Sequence, residues 1–213
     1  MKLISVNKSK QKAIEYQGKE ILTGIFKEPV EGKTFVQMGN LEGDEQADLL
    51  NHGGSHKAVY AFSYEYYDYW SEILKNPNLK HGSFGENLTI SGLDEARLFI
   101  GDQFSIGECV LEISQPRVPC FKLGIALNNT KAPKLFTKSF NTGVYFRVIK
   151  EGVITAGDQV KKINSVPNSV SIRSLFRAYF DKSYGHANQV MAEALLLEEL
   201  APEWQDKLTG RIA

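Results

Sequence analysis

Residues 114–122 read SQPRVPCFK, and Cys120 is one of only two cysteines in 213 residues. A thiolate serves both as nucleophile and as soft metal ligand, and neighbouring cations favour it over the thiol. Arg117 and Lys122 supply such charges close in sequence. Pro116 and Pro119 each fix a backbone torsion, so the segment loses less entropy on ordering. The pattern predicts a strand ending at Ser114, then a stiff loop presenting Cys120 at the rim of a sheet. As a nucleophile Cys120 needs a base, usually histidine. The histidines stand at 52, 56, 81 and 186, and the sequence does not choose among them. As a ligand, one thiol leaves a bare metal under-coordinated. A metal arriving with sulfur ligands of its own, on an organic cofactor, would be complete. An inert loop cysteine is the remaining alternative. Cys109 lies inside the run CVLEIS and reads as a small buried hydrophobe.

Two further stretches carry polar groups ahead of strands. GNLEGDEQADLLNHGGSHKAVYAF (39–62) packs His52, Gly53, Gly54, Ser55, His56 and Lys57 together. Adjacent glycines let backbone N–H groups approach an anion, and Lys57 adds a charge suited to a phosphate. Zinc is disfavoured, because His-x3-His stands here with no cysteine and no ordered carboxylate partner. A glycine turn without a ligand is the plainer alternative. HGSFGENLTISG (81–92) sets Glu86 and Asn87 before a short strand, an acceptor and an amide suited to a heterocycle or to a polar turn. Asn87-Leu88-Thr89 has the form of a glycosylation sequon, discounted for want of an export signal.

The elements that must position these groups are mostly strands. KAVYAFS (57–63), CVLEIS (109–114) and VYFRVIK (144–150) are rich in β-branched and aromatic residues. GDQFSI (101–106) and GDQVKKI (157–163) resemble each other, a Gly-Asp turn launching a strand in each. Asp102 and Asp158 therefore read first as turn residues. Many short strands with turn signals suggest a barrel or a strongly bent sheet over residues 1–165. One helix interrupts it. YEYYDYWSEILK places Tyr67, Trp70 and Leu74 on one face, with Ser63 as expected N-cap and Asn76-Pro77 as the stop. Its aromatic stripe reads as core rather than as a stacking platform. Residues 166–213 read as a three-helix segment, in VSIRSLFRAYF (170–180), HANQVMAEALLLEEL (186–200) and APEWQDKL (201–208). Such a segment is too small to stand alone and is expected to dock on the barrel or on a second subunit.

Composition narrows the partners. Lys+Arg and Asp+Glu both number 25, so the formal charge is zero. That argues against an electrostatic grip on nucleic acid or an anionic membrane. No apolar run reaches the roughly 18–20 residues that span a bilayer. The start, MKLISVNKSKQKAIEY, shows no secretory signal, so a cytoplasmic location is expected and a structural disulfide is not.

LEGDEQADLLNHGGSHKAVYAF, GSFGENLTI, IGDQFSIGECVLEISQPRVPCFKL and FNTGVYFRVIKEGVITAGDQV, in this order, resemble the MOSC domain. This is the domain at the C-terminus of molybdenum cofactor sulfurases. The likeness is greatest to its stand-alone bacterial YiiM-like branch, and it covers nearly the whole chain. It implies a mainly β fold with α, a MOSC-type β-barrel similar to the barrel domain of pyruvate kinase, followed by three short helices. It implies a bound molybdenum cofactor, a pterin dithiolene carrying the metal, with Cys120 as metal ligand. It implies His52, Gly53, Gly54, Lys57, Arg117 and Lys122 as cofactor contacts, with Glu86, Asn87 and Asp102 as weaker candidates. Pyridoxal phosphate binding is a further association the family carries.

The activity implied is reduction of N-hydroxylated compounds, such as hydroxylaminopurine base analogues, in detoxification. Electrons would come from a separate flavoprotein reductase, since the chain shows no dinucleotide fingerprint. The oligomer expected is a monomer or a homodimer. Two alternatives stand beside this reading. One is a carrier of the cofactor, or of a persulfide on Cys120, without reductase turnover. The other is an interaction module whose C-terminal helices recruit a partner.

Overall fold

The computed structural model describes residues 1–47 and 53–212. Thirteen strands fall among them: β1 (Lys2–Lys8), β2 (Lys12–Tyr16), β3 (Lys19–Thr23), β4 (Glu28–Val30), β5 (Thr34–Gln37), β6 (Asn40–Leu41), β7 (Val59–Ser63), β8 (Leu88–Ser91), β9 (Gln103–Ile106), β10 (Cys109–Pro116), β11 (Val144–Lys150), β12 (Gly152–Ile154) and β13 (Val160–Asn164). Eight of them form one sheet in the order β13-β9-β10-β11-β7-β8-β1-β4. Only β7 and β8 run parallel. The sheet curls until its far strands meet. Lys2 bridges Gln159, Leu3 N–H donates to Asp158 O (2.9 Å), and Val160 N–H donates to Met1 O (3.0 Å). This seam closes the strands from β13 to β1 into a barrel through a few bonds rather than a full ladder.

The alternation that predicted these strands fills the barrel. Phe104 and Ile106 on β9, Leu111 and Ile113 on β10, and Phe146 and Val148 on β11 are buried. The two Gly-Asp turns behave alike, and the strands they launch are neighbours, with Val160 opposite Ile106. Asp102 accepts from Phe99 N–H and Asp158 from Thr155 N–H, each folding back three residues.

Six helices complete the described chain: α1 (Tyr66–Leu74), α2 (Phe121–Ala126), α3 (Ala132–Ser139), α4 (Ile172–Phe180), α5 (Ala187–Ala194) and α6 (Pro202–Ile212). Around α1, Tyr67 and Trp70 join Phe62, Phe84 and Phe136 in an aromatic core, Trp70 stacking on Phe136 at 4.1 Å. Ser63 is not the N-cap of α1. It ends β7, buried, and its hydroxyl donates to Glu65, the residue that precedes the helix. Parallel pairing with β8 holds Ser63 in the strand, opposite Ile90, and the helix starts later.

Helices α2 and α3 carry no clear sequence signal. Each is under ten residues, and α2 contains Gly124, packed so closely on Asn129 that a Cβ would come within 3.1 Å of its carbonyl. The α4–α6 segment shares one apolar core with the barrel, with Leu175, Phe176, Trp204 and Leu208 fully buried in it. Helix α5 ends at Ala194, short of the helix-favouring run to Leu200. There the chain must turn onto the barrel: Ala201 N–H donates to Ser114 O (3.0 Å), and Arg147 binds the Glu199 carbonyl. Tertiary anchoring overrides local propensity.

Candidate functional site

Strand β10 runs two residues past its expected end, because Gln115 and Pro116 still pair with Tyr145 and Val144 on β11. Arg117 N–H then donates to Gly143 O. Gly143 sits at φ +80°, and a Cβ there would lie 2.4 Å from the Ala61 carbonyl, so only glycine lets β11 start this close to β7. Cys120 follows with extended backbone (φ −117°, ψ 174°), and its carbonyl accepts from Leu123 N–H at the start of α2. The thiol is thus held by a strand on one side and a helix start on the other. The expected loop shrinks to four residues, Arg117 to Cys120.

Cys120 lines a solvent-open cleft. Arg117 and Lys122 come from the same segment, Lys57 and Tyr60 from the entry to β7, and Tyr145 from β11. Asn87, the stretch from Thr23 to Lys27 and the stretch from Asp44 to Ala47 complete the wall. Four cationic side chains face two carboxylates there. The β2–β3 hairpin arches beside the cleft, its Tyr16 stacked on Phe121 at 4.8 Å between Cys120 and Lys122.

The four cations are not equivalent. Lys27 is paired with both oxygens of Asp44 at 2.6 and 2.7 Å. Burial lowers its pKa, with the Asp44 charge opposing. Asp44 is itself held by Ser9 N–H and by the Asn87 amide, and the Asn87 carbonyl accepts from Tyr60 N–H. Lys57 is buried and forms an ion pair with Glu203, in the first turn of α6. Arg117 is 5% exposed, with its guanidinium 5.3 Å from the centre of the Tyr60 ring. Its Nη1 has no hydrogen-bond partner among the described residues. Burial pushes the Tyr145 phenol up to about 12, with Arg117 opposing, and raises Tyr60 well above the ordinary phenol range. Both rings therefore stay neutral at physiological pH and add no charge of their own beside Arg117. A buried guanidinium N–H without an acceptor is costly, and on a cleft wall it suits an anionic ligand.

The expected site residues divide. Cys120, Arg117, Lys122, Lys57 and Asn87 line the cleft, though the Asn87 side chain is spent on Asp44 and Tyr60. Glu86 does not line it. It is fully buried beneath, its carboxylate filled by the Tyr67 hydroxyl, Thr89 and the N–H groups of Gly82 and Phe84. Asp102 lies away from the cleft, where it shapes its turn and pairs with Lys162 at 2.5 Å. Gly54 takes φ +90° and opens the 3₁₀ turn Ser55–Lys57 that delivers Lys57; neither it nor Gly53 lines the cleft. His52 lies outside the described residues. Lys27, Asp44, Tyr60 and Tyr145 were not expected. Asp44, Tyr60 and Tyr145 lie inside motifs quoted above, while nothing near Lys27 distinguishes it in sequence. Cys109 is fully buried, and burial pushes its thiol up to about 12.

The barrel and a cysteine-bearing cationic cleft place the chain in a known class. Residues 48–161 match the model of the MOSC domain, and the chain belongs to that family. Its affinity within the family is to YiiM-like proteins. The crystal structure of YiiM from Geobacillus stearothermophilus superposes with a TM-score of 0.82 at 27% identity, covering 100% of this chain and 99% of that one. Protein YflK of Bacillus subtilis is 37% identical over 96% of this chain and 93% of its own. A Gibberella moniliformis protein named Reductase is 35% identical over 67% of this chain, which spans 26% of that protein. No helix among the described residues is long and apolar enough to cross a membrane.

Proposed function

We propose that the protein is a molybdenum-cofactor-dependent reductase of N-hydroxylated small molecules, hydroxylaminopurines among them, acting in detoxification in the cytoplasm. The observation that carries this reading is a half-exposed thiol set among cations, one of which, Arg117, is buried with an Nη1 that has no acceptor among the described residues. Family membership and the relative named Reductase support the oxidoreductase class.

The residues present fit the cofactor. Cys120 offers the soft ligand a molybdenum centre takes. Arg117 and Lys122, with Lys57 in the same cleft, suit the anionic pterin phosphate. When bound, the cofactor supplies the two-electron redox chemistry. Breaking the N–O bond consumes two electrons and two protons and releases an amine and water. A separate flavoprotein reductase provides the electrons. The chain's own part is to hold the ligand group and neutralise negative charge.

Molybdenum analysis of freshly purified protein from a cofactor-competent host, wild type beside Cys120→Ser, tests the reading. Near-stoichiometric metal in the wild type and little in the variant is expected, with N–OH reduction lost in parallel by at least about 100-fold. A persulfide on Cys120 by intact mass, with neither molybdenum nor pterin present, would replace the reductase by a sulfur carrier.

A further inference from the structure

The site is not confined to the barrel. Lys57 stands on the cleft wall, yet it forms an ion pair with Glu203 of α6, forty-odd residues beyond the segment that matches the family model. The contact is built in. Ser114 ties both sides together, its carbonyl accepting from Ala201 N–H and its hydroxyl donating to the His56 carbonyl (2.6 Å). Ala201 lies two residues before Glu203, and His56 lies next to Lys57. Trp204 and Leu208, fully buried, fix the register of α6 on the barrel.

The two partners differ in what they can do without each other. The Lys57 side chain is 9% exposed and has little access to water. The Glu203 side chain is 41% exposed and has a second partner one turn on, Lys207. Glu203 can therefore let go at small cost, rehydrate and keep Lys207. Lys57, held in a poorly hydrated place, gains more from a nearby anion than Glu203 does from a nearby cation.

We propose that Glu203 competes with the anionic group of the cleft's ligand for the Lys57 ammonium, so that the C-terminal helices set the affinity of the site. The inference rests on the reading of the cleft as an anion-holding cofactor site. It makes Glu203 a positioning residue acting through Lys57.

Inorganic phosphate is the probe, titrated calorimetrically into purified protein at low ionic strength. Glu203→Gln is expected to bind phosphate about fivefold tighter or more, since one opposing charge is removed from a poorly solvated site. Lys57→Ala is expected to bind it more weakly, and the Lys57→Ala/Glu203→Gln double variant to match Lys57→Ala. Lys207→Ala commits Glu203 to Lys57 alone and should weaken phosphate binding; it decides the matter if Glu203→Gln does not fold. Equal or weaker binding in folded Glu203→Gln, or unchanged or tighter binding in Lys207→Ala, overturns the inference alone. Phosphate binding that is absent in the wild type, or untouched by Lys57→Ala, takes down the anion-site reading and the inference with it.

Discussion

Two neighbouring regions bury charge, and they do so in opposite ways. In the loop before β8, Glu86 is fully buried, and its two oxygens take four donors. Burial raises its pKa, and those donors pull it back. Nothing is left over for a ligand. On the other side of the Tyr60 ring, Arg117 is almost as buried, but its Nη1 has no acceptor among the described residues. A saturated buried charge holds a fold together. An unsaturated one facing a cavity is a binding group awaiting its partner. Both residues sit in motifs of the same family resemblance, which made Glu86 only the weaker candidate of the two and did not exclude it from the site.

Substitution should pull them apart. Glu86→Ala strands four donors in the core and should cost about 3–5 kcal/mol of stability, read as a loss of denaturant midpoint. The molybdenum bound per folded molecule should not change. A folded Glu86→Ala protein that loses metal would put Glu86 back in the site. Arg117→Gln should do the reverse. It removes a charge that is only partly compensated, so the melting temperature should move little. Phosphate affinity and cofactor retention should fall about 10–100-fold. A large loss of stability with unchanged phosphate affinity would make Arg117 a structural cation like Lys27. Between these lies the thiol pair. Cys109→Ser buries a hydroxyl in the apolar barrel and should cost about 1–3 kcal/mol, with metal content per folded molecule intact. Any drop in metal there would break the assignment of the ligand to Cys120.

The strands, the C-terminal helices, the Gly-Asp repeat and the thiol at position 120 were legible because each has a local cause: alternation, helical periodicity, turn chemistry, or two prolines around one cysteine. The start of α1 was not, since pairing of β7 with β8 outweighed the capping preference of Ser63. Helices α2 and α3 were not, since short helices draw their stability from packing rather than propensity. In the cleft, the sequence could place cations near Cys120 in the chain but could not count their partners. Asn87 and Glu86 are adjacent, yet one lines the cleft and the other is sealed behind it. Lys27 and Glu203 reach the site only through folding, from positions 93 residues before Cys120 and 83 after it.

Glu95 offers the finest test, because it is a buried acid with fewer donors than Glu86. It accepts from Gly143 N–H at 3.0 Å and from the Tyr66 hydroxyl at 3.4 Å, with Arg173 of α4 4.0 Å away. Burial pushes its carboxyl up to about 7 from 4.5, with the Gly143 N–H and Arg173 opposing. Between those values the folded chain holds a proton the unfolded chain has released. Stability from this group is therefore full below about pH 4.5 and is lost as pH rises through about 7. Glu95→Gln keeps an acceptor for Gly143 and cannot ionise. The melting-temperature difference between about pH 5 and about pH 8 should narrow in the variant, chiefly because the variant melts higher at the upper value. Equal slopes in wild type and variant would mean that Glu95, like Glu86, has all the compensation it needs, and that donor count does not separate the two acids.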